Sequence, residues 1–240
     1  MQIKDLIFTP ECLLCKNIED VWLCEACRQG LRVFHSGRCL WCLNPAASDV
    51  SDIAKATADG HLCAACQKAS GLDGVLIVYD YADSNAAYLI ETVKYNLVSE
   101  LVATLSADLA KKVSLWRSRL GQPVIIMPVP LHRRRFRERG FNQAELIARS
   151  LGEASGLAVI NDGLKRARYT KQQAKLTRGE RLKNLKGAFI FNGDYSPANV
   201  LLVDDVISTG STLKECARVS RLAGAKKVWA AVLASSILDR

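Results

Sequence analysis

The stretch 200–212 restricts the fold of this chain more than any other part of the sequence. It begins with Val200-Leu201-Leu202-Val203, a short uninterrupted apolar run. Such a run is typical of a strand buried on both faces, which is the usual state of strands in a parallel sheet. Two adjacent carboxylates, Asp204 and Asp205, follow at the point where this strand is expected to end. The pattern predicts an α/β domain with functional groups at the carboxyl end of a strand.

Small hydroxyl residues around Gly210 form the predicted loop after this strand. A helical pattern follows at 213–223, where Thr212 and Glu215 have the spacing of a capping box and Gly224 suits the helix end. The backbone N–H groups of such a loop, together with a helix N-terminus, can hold a phosphate group. The alternative is an ordinary strand–loop–helix turn with two solvated aspartates, although packing gives no reason for an acidic pair at this place.

The order of apolar strand, acidic pair and Thr-Gly-Ser-Thr loop resembles the motif with which type I phosphoribosyltransferases bind phosphoribosyl pyrophosphate (PRPP). The resemblance implies an α/β fold of the type I phosphoribosyltransferase kind, a mostly parallel sheet with flanking helices. It also implies that Asp204 and Asp205 hold the ribose hydroxyls and support catalysis. The residues implied to hold the 5′-phosphate are Ser208, Thr209, Gly210, Ser211 and Thr212.

Eight of the nine cysteines form four Cys-x-x-Cys pairs near the N-terminus. The pairs are Cys12/Cys15, Cys24/Cys27, Cys39/Cys42 and Cys63/Cys66. Two such pairs supply four thiolates for a tetrahedral Zn²⁺ site, so four pairs predict two sites. Sequential pairing, as in two zinc ribbons, is the simplest arrangement, and interleaved pairing of the first with the third and the second with the fourth is the alternative. His35 and His61 lie near these cysteines, but eight thiolates suffice without them.

These cysteines set the predicted domain organisation, a zinc-binding double-ribbon module at 1–70 and a phosphoribosyltransferase-like domain at 71–240. Trp22 and Trp41 are expected to cover the metal sites or to form the small core of the module. The module is slightly acidic, and each zinc site with four thiolate ligands would add about −2 to its charge. We therefore expect a structural or protein-docking role for it rather than sequence-independent DNA binding.

Further strands are predicted at 75–81, 124–129, 189–192 and 227–234. Helices are predicted at 85–95 and 101–120, in addition to those that follow Asn142 and Gly210. Cys216 lies inside the last predicted helix, where we expect it to be a small core residue.

The net charge of +9 comes from two segments of the second domain. Segment 133–139 carries five arginines against one glutamate, and segment 165–186 carries nine lysines and arginines against one glutamate. Clusters of this kind suit a polyanion, either nucleic acid or a phosphorylated small molecule with pyrophosphate. A solvated basic face is the alternative.

The first basic segment lies in a second predicted strand–loop–helix unit, in which Asn142 and Glu145 can cap the helix. The run Pro-Val-Pro-Leu-His-Arg-Arg-Arg-x-Arg-Glu-Arg-Gly-Phe-Asn-Gln-Ala at 128–144, the pair Lys94-Tyr95 and the domain order together resemble the ComF-like competence family. The long spacer between the third and fourth cysteine pairs departs from that pattern. In type I phosphoribosyltransferases the loop after the first core strand helps to hold pyrophosphate. The corresponding loop here contains the first basic segment, which implies that role for Arg133, Arg134 and Arg135. Exposed arginines of the same loop could serve DNA instead.

The second basic segment has little apolar periodicity and resembles the flexible catalytic loop of amidophosphoribosyltransferases, which closes over PRPP and excludes water. The flexible-loop residues are then Tyr169, Thr170, Lys171 and Gln172. A plain solvated loop is the alternative. No Cys follows Met1, and few residues follow the last predicted strand, so we expect neither the N-terminal nucleophile of the glutamine-dependent enzymes nor a C-terminal hood over the acceptor.

Together these patterns predict a PRPP-binding phosphoribosyltransferase-like protein of the ComF type, which acts with Mg²⁺ on an acceptor that the sequence does not identify. The family resemblance links it to natural competence and DNA uptake. A non-catalytic protein that senses PRPP or handles single-stranded DNA is the alternative, and DNA-uptake or helicase proteins are the expected protein partners. Because we find neither a signal peptide nor an apolar run that could span a membrane, a cytoplasmic location is expected.

Overall fold

The computed structural model describes residues 10–34, 39–42, 62–95, 98–120, 123–168, 185–193 and 199–236. The strands of its main sheet are β1 Gly74–Asp80, β2 Ile125–Pro128, β3 Ala158–Val159, β6 Asn199–Ile207 and β7 Lys227–Ser235. Their order is β1-β7-β6-β2-β3, and each neighbouring pair is parallel. A separate antiparallel pair consists of β4 Leu164–Arg166 and β5 Phe189–Phe191. The predicted α/β fold with a mostly parallel sheet is confirmed.

Helices cover the main sheet on both faces. The described residues contain α1 Glu25–Gln29, α2 Ala64–Ser70, α3 Ser84–Tyr95, α4 Ser99–Leu120, α5 Arg133–Arg139, α6 Gln143–Ser155 and α7 Ser211–Leu222. One face, called the α4 face, packs against α3, α4 and α6. The other face, called the α7 face, packs against α2 and α7. The sheet is therefore the middle layer between two helical layers.

The side chains of β6 explain why its sequence is apolar without interruption. Leu201 and Val203 belong to the core of the α4 face, and Val200 and Leu202 belong to the core of the α7 face. All four are fully buried. Successive side chains of a strand point to opposite faces, so a strand between two helical layers needs apolar residues at every position. The predicted buried strand is confirmed.

Strand β6 continues further than the apolar run predicted. Asp204 pairs with Val232 of β7, and the register extends to Ile207 opposite Ser235. Asp204 and Asp205 therefore lie within the strand rather than after its end. The reason is that β7 supplies backbone partners beyond the apolar part of β6.

The arginine-rich segment is helix α5, and the prediction of a loop here was wrong. His132 precedes the helix, and its Nδ1 accepts a hydrogen bond from the backbone N–H of Arg134 at 3.2 Å. Gly140 ends the helix with a left-handed backbone, at φ 80°. Arginine has a high helix propensity, and Arg137 and Arg139 in the last turn interact favourably with the helix dipole.

The predicted capping box of α7 is also wrong. The helix begins at Ser211 directly after Gly210, which has no side chain to cap it, and Oγ1 of Thr209 accepts a hydrogen bond from the backbone N–H of Ser211 at 3.4 Å. Glu215 instead accepts a hydrogen bond from the backbone N–H of Gly187 at 2.7 Å and pairs with Arg218 at 2.7 Å. The glutamate thus attaches α7 to the segment that leads into β5.

Several predictions concern residues outside the described segments, namely His35, His61, Tyr169, Thr170, Lys171 and Gln172. Cys216 is described and is fully buried in the core of the α7 face, as predicted. Within the described segments, no helix combines the length and the apolar character needed to cross a bilayer.

Candidate active-site cleft and cysteine clusters

A cleft of about 550 Å³ lies at the carboxyl ends of β2, β6 and β7. One wall comes from α3, a second from α5 and α6, and the floor from the end of β6 and the loop that follows it. In open α/β sheets this end of the strands is where ligands bind. Each of the predicted PRPP-binding residues from Asp204 to Thr212 lines this cleft.

Asp204 and Asp205 point to opposite faces because they are neighbours on one strand. Asp204 lies on the α7 face, within electrostatic range of Arg166 and of the buried thiol of Cys216. Burial raises the pKa of the Asp204 carboxyl well above its usual value, and the negative charge of Asp205 raises it further. The ionised form of Asp204 is thus unfavourable until a cation or a hydroxyl donor reaches it.

Asp205 faces α3 and joins a polar network there. Its Oδ2 lies 3.9 Å from Nζ of Lys94, which lies 2.6 Å from Oε1 of Glu91. The Tyr81 hydroxyl donates a hydrogen bond of 2.5 Å to the same Glu91 oxygen. Burial would raise the pKa of Glu91, but the hydrogen bonds from Lys94 and Tyr81 lower it, so Glu91 stays ionised. Burial and Glu91 raise the pKa of Tyr81 to about 12, which keeps its hydroxyl protonated.

The loop after β6 has the form of an anion site. Gly210 takes a left-handed backbone, at φ 68°, and directly precedes α7. Oγ1 of Thr209 lies 2.9 Å from Oγ of Ser211. The first turn of α7 directs its backbone N–H groups and the positive end of its dipole toward the loop, an arrangement that attracts phosphate. We call residues 208–212 the phosphate loop.

Three arginines make the opposite side of the cleft basic. Of the three arginines predicted for this role, only Arg135 is among them. Arg135, Arg139 and Arg166 line the cleft. Arg133 and Arg134 lie on the exposed side of α5, where Arg134 pairs with Glu138 at 3.1 Å. Arg135 and Arg139 share one helix face because they are four residues apart.

Four further residues line the cleft without having been predicted as site residues, namely Tyr81, Glu91, Arg139 and Arg166. A helical assignment for 133–139 would have placed Arg139 beside Arg135. For Arg166 the signal was present, since it lies in the second basic segment. Tyr81 and Glu91 carry no signal of their own, because their place in the cleft depends on how α3 packs on the sheet.

Asn142 supports the cleft in the predicted way. Its side chain accepts a hydrogen bond from the backbone N–H of Ala144 at 3.2 Å and so caps α6. Its Nδ2 donates to the carbonyl oxygen of Val129 and to Glu145, each at 3.1 Å. The cap therefore joins α6 to the chain that leaves β2.

The cysteines assemble into two groups with sequential membership. The first cysteine cluster is Cys12, Cys15, Cys24 and Cys27, and the second is Cys39, Cys42, Cys63 and Cys66. All sulfur atoms of a group lie within 4.8 Å of one another. The Cys15–Cys24 and Cys42–Cys63 sulfur pairs are both 3.8 Å apart. Four sulfurs placed tetrahedrally at about 2.3 Å from Zn²⁺ would be separated by about 3.8 Å, so both groups suit zinc.

Each cluster contains one thiol whose surroundings favour ionisation, Cys12 in the first and Cys39 in the second. Burial would raise the pKa of Cys12 and Cys39, but backbone N–H donors lower it to about 6 for Cys12 and about 7 for Cys39. The backbone N–H of Cys24 lies 3.5 Å from Sγ of Cys12, and that of Cys63 lies 3.4 Å from Sγ of Cys39. Since thiolates bind metal and thiols do not, this arrangement favours a metal site.

The two clusters lie on opposite faces of the sheet. Cys12 and Cys24 belong to the core of the α4 face, and Cys39 and Cys66 belong to that of the α7 face. The chain between them follows the edge of the sheet, where Val33 forms an antiparallel bridge with Tyr79 of β1. Contacts thus cross the domain boundary predicted at residue 70, and the division itself stays a prediction.

Comparison with known proteins agrees with this geometry. The family model for the phosphoribosyl transferase domain matches residues 107–239. The DNA utilization protein YhgH of Salmonella typhi is 33% identical over 213 residues, which cover 86% of this chain and 93% of that protein. Competence protein F of Haemophilus influenzae is 29% identical over 231 residues, with 92% and 95% of the two chains covered. Competence protein ComFC of Streptococcus pneumoniae is 35% identical over 100 residues, 42% and 43% of the chains. The chain therefore belongs to the phosphoribosyl transferase domain family, as one of its ComF-like members.

Proposed function

We propose that the cleft binds PRPP together with Mg²⁺ and transfers its phosphoribosyl group to an acceptor. The observation that carries the proposal is the joint position of the acidic pair and the phosphate loop in one cleft at the end of β6. The phosphate loop receives the 5′-phosphate, and Asp204 and Asp205 accept hydrogen bonds from the ribose hydroxyls. The cleft combines the phosphate loop, the acidic pair and a wall with three arginines, and this set of groups matches a ligand with phosphate at both ends and hydroxyls between.

The chemistry proposed for this cleft is positioning and charge stabilisation without a covalent protein intermediate. As the bond from the anomeric carbon to pyrophosphate breaks, negative charge grows on the leaving group and positive charge on the ribose. Arg135, Arg139 and Arg166 lie where they can hold the leaving pyrophosphate. Glu91 remains ionised at the cleft and is linked to Asp205 through Lys94.

Mg²⁺ prefers oxygen ligands, and the carboxylates of Asp205 and Glu91 at the cleft are of that kind. The ion would arrive with PRPP and would offset the charge of the pyrophosphate group. For the two cysteine clusters we propose structural Zn²⁺, because their donor set and sulfur separations suit it.

Calorimetry with PRPP and Mg²⁺ tests the binding proposal. We expect the double variant Asp204→Ala with Asp205→Ala to weaken binding on the order of 100-fold, since it removes acceptors of several charge-assisted hydrogen bonds. The variant Asp162→Ala with Glu153→Ala removes two exposed acidic residues and serves as the control. Absence of PRPP binding by the unaltered protein, or equal affinity in the two double variants, contradicts the proposal. Pyrophosphate release with candidate acceptors then separates a transferase from a protein that only senses PRPP.

A second candidate function is binding of single-stranded DNA on the outer side of α5. The observation that favours it is the exposure of Arg133, Arg134 and Arg137 on one short helix, together with the names of the relatives, which refer to DNA utilization and competence. This side of α5 is distinct from the side that carries Arg135 and Arg139 into the cleft. One helix could thus serve a nucleotide substrate and a DNA strand with different arginines.

Salt dependence tests the DNA proposal. Each phosphate contact contributes about 0.7 to the slope of log affinity against log salt for a single strand. We expect Arg133→Ala with Arg137→Ala to reduce that slope by about 1.4, whereas Arg149→Ala with Lys226→Ala, which removes the same charge from other exposed positions, leaves it nearly unchanged. Equal slopes in the two variants would show that net charge alone attracts DNA.

A further inference from the structure

One aromatic ring covers the back of the phosphate loop. A Cβ atom added to Gly210 would come closer than 3.0 Å to three ring atoms of Trp41, so the ring lies directly on the Cα of this glycine. Trp41 is not among the described residues that line the cleft. The ring therefore supports the loop from the side away from the ligand.

The second cysteine cluster holds this ring in place. Trp41 lies between Cys39 and Cys42 in the sequence, and it packs, partly buried, against the core of the α7 face. Leu40 beside it is buried in the same core. The backbone of the Cys39–Cys42 turn is thus fixed on one side by apolar packing and on the other by the sulfur ligands.

The same cluster also contacts the helix behind the loop. Helix α2, which carries Cys66, packs on α7. At the end of α2, a Cβ atom added to Gly71 would lie 3.7 Å from Cβ of Ala217 in α7. The second cluster therefore contacts both the phosphate loop and the helix whose N-terminus faces the phosphate site.

We propose that Trp41 is a positioning residue for the phosphate loop, and that through it metal binding by the second cysteine cluster is coupled to binding of the ligand's 5′-phosphate. The inference rests on the proposed PRPP and zinc sites. It assigns the second cluster a role at the active site, which the first cluster does not share.

The physical reason is preorganisation. A loop of Ser, Thr and Gly has many accessible backbone conformations, and glycine loses more conformational freedom on ordering than any other residue. Backbone N–H donors bind an anion best when they already point at it, because the ordering cost is then not subtracted from the binding free energy. A ring fixed against Gly210 removes alternative loop conformations before the ligand arrives.

Trp22 provides a matched control in the first cluster. It lies two residues before Cys24, is partly buried like Trp41, and packs against the core of the α4 face. Loss of either ring removes apolar packing next to a cysteine cluster. Of these two rings, Trp41 is the one that contacts the phosphate loop.

Calorimetry with three probes tests the inference: PRPP with Mg²⁺, ribose 5-phosphate, and pyrophosphate with Mg²⁺. We expect Trp41→Ala to weaken binding of ribose 5-phosphate and PRPP by about 10-fold, within the usual range of coupling between sites. Pyrophosphate is proposed to bind at the arginine wall rather than at the phosphate loop, so its affinity should stay within about twofold, which is below the usual range of coupling between sites. Trp22→Ala should leave all three affinities unchanged, and Trp41→Phe, which keeps an aromatic ring, should show a smaller loss than Trp41→Ala.

The outcomes separate the inference from the proposed function. If the unaltered protein binds neither PRPP nor ribose 5-phosphate, the proposed function fails and the inference fails with it. If the unaltered protein binds both and the Trp41 variants bind them equally well, only the inference fails. An equal loss for all three probes would mean that Trp41 supports general folding, and this also contradicts the inference.

Coupling is reciprocal, and this provides a second readout that does not depend on catalysis. We expect saturating ribose 5-phosphate to slow the release of one of the two zinc ions to a colorimetric chelator and to leave the other unaffected. Cys42→Ser should abolish the slowed phase, and Cys15→Ser, the equivalent exposed ligand of the first cluster, should retain it. Zinc release that is insensitive to ribose 5-phosphate, despite measurable binding, contradicts the coupling.

Discussion

The two cysteine clusters have the same donor set and very different surroundings. The first lies on the α4 face, where Arg28 next to Cys27 pairs with Asp108 of α4 at 3.3 Å. The second lies on the α7 face, where Trp41 covers Gly210 of the phosphate loop. The first cluster is attached to the scaffold, and the second is attached to the phosphate loop. The comparison teaches that one donor set, four cysteines, can be attached to quite different parts of the same fold.

The short connection between the clusters produces this division. The backbone N–H of Phe34 donates to the carbonyl oxygen of Val78 at 2.8 Å, and that of Asp80 donates to the carbonyl oxygen of Arg32 at 3.0 Å. This segment therefore adds a short antiparallel partner to the outer edge of β1. Because the chain follows an edge strand, it can leave one face of the sheet and arrive at the other within a few residues.

Metal removal has the largest expected effect on both regions. Elemental analysis should find two zinc ions per chain, and chelation should unfold the N-terminal part of the chain, because structural zinc contributes about 10 kcal/mol or more to such small modules. The measurement is thermal unfolding monitored by circular dichroism with and without chelator. One zinc ion per chain would mean that the two clusters differ in chemistry as well as in position.

Gly210→Ala should have the next largest effect, and this effect should be confined to the surroundings of the second cluster. The left-handed backbone and the overlap with Trp41 both oppose a side chain here, so we expect about 1–3 kcal/mol of destabilisation and a loss of affinity for ribose 5-phosphate. Trp41→Ala in the same chain removes the overlap but not the backbone strain. The double variant should therefore recover part of the stability lost, and simple additivity in this cycle would argue against direct contact.

Asp108→Ala tests the surroundings of the first cluster in the same way. The Tyr79 hydroxyl donates to Asp108 at 2.8 Å, and Arg28 and Lys111 pair with the same carboxylate. Removal of the acceptor leaves a buried hydroxyl unpaired, at about 1–3 kcal/mol, and should lower the melting temperature by several degrees. Affinity for PRPP, measured well below that temperature, should not change. A parallel loss of affinity would show that the first cluster also influences the cleft.

The smallest expected effect concerns the protonation of Asp204. Asp204 and Asp205 extend the comparison between the two faces, because their side chains lie on opposite sides of the sheet. The pKa of Asp204 is raised by burial and by Asp205, so the folded protein holds a proton that the unfolded chain releases at lower pH. Ionisation of Asp204 therefore lowers the free energy of unfolding progressively as the pH rises from about 4, the pKa in the unfolded chain, to the pKa in the folded protein. Above this pH range Asp204→Asn should be more stable than the unaltered protein, and below it the two should be equally stable.

Ligand binding should reverse this preference. Ribose hydroxyls and Mg²⁺ favour the ionised carboxylate, so binding of Mg²⁺–PRPP should release a proton and strengthen as pH rises. Calorimetry in buffers of different ionisation enthalpy measures the proton directly. If the Asp204→Asn variant releases the same number of protons on binding Mg²⁺–PRPP, the proton comes from another group.

Much of the site could be predicted because its signals are local. The apolar run before Asp204, the small residues around Gly210 and the Asn142 cap each reflect the backbone conformation at their own position. Arg139 and Glu91 could not be predicted in this way. Arg139 required the helical form of α5, and Glu91 required the packing of α3 beside the end of β6.

The sequence by itself determined the parallel α/β sheet, the acidic pair, the phosphate loop and the two sets of four cysteines. Hydrophobic period, loop composition and cysteine spacing suffice for these, because each reflects short-range geometry. Only the tertiary structure decided that the clusters lie on opposite faces and that Trp41 lies against Gly210. Those contacts join residues far apart in the chain, and their partners are set by which side of the sheet each segment reaches.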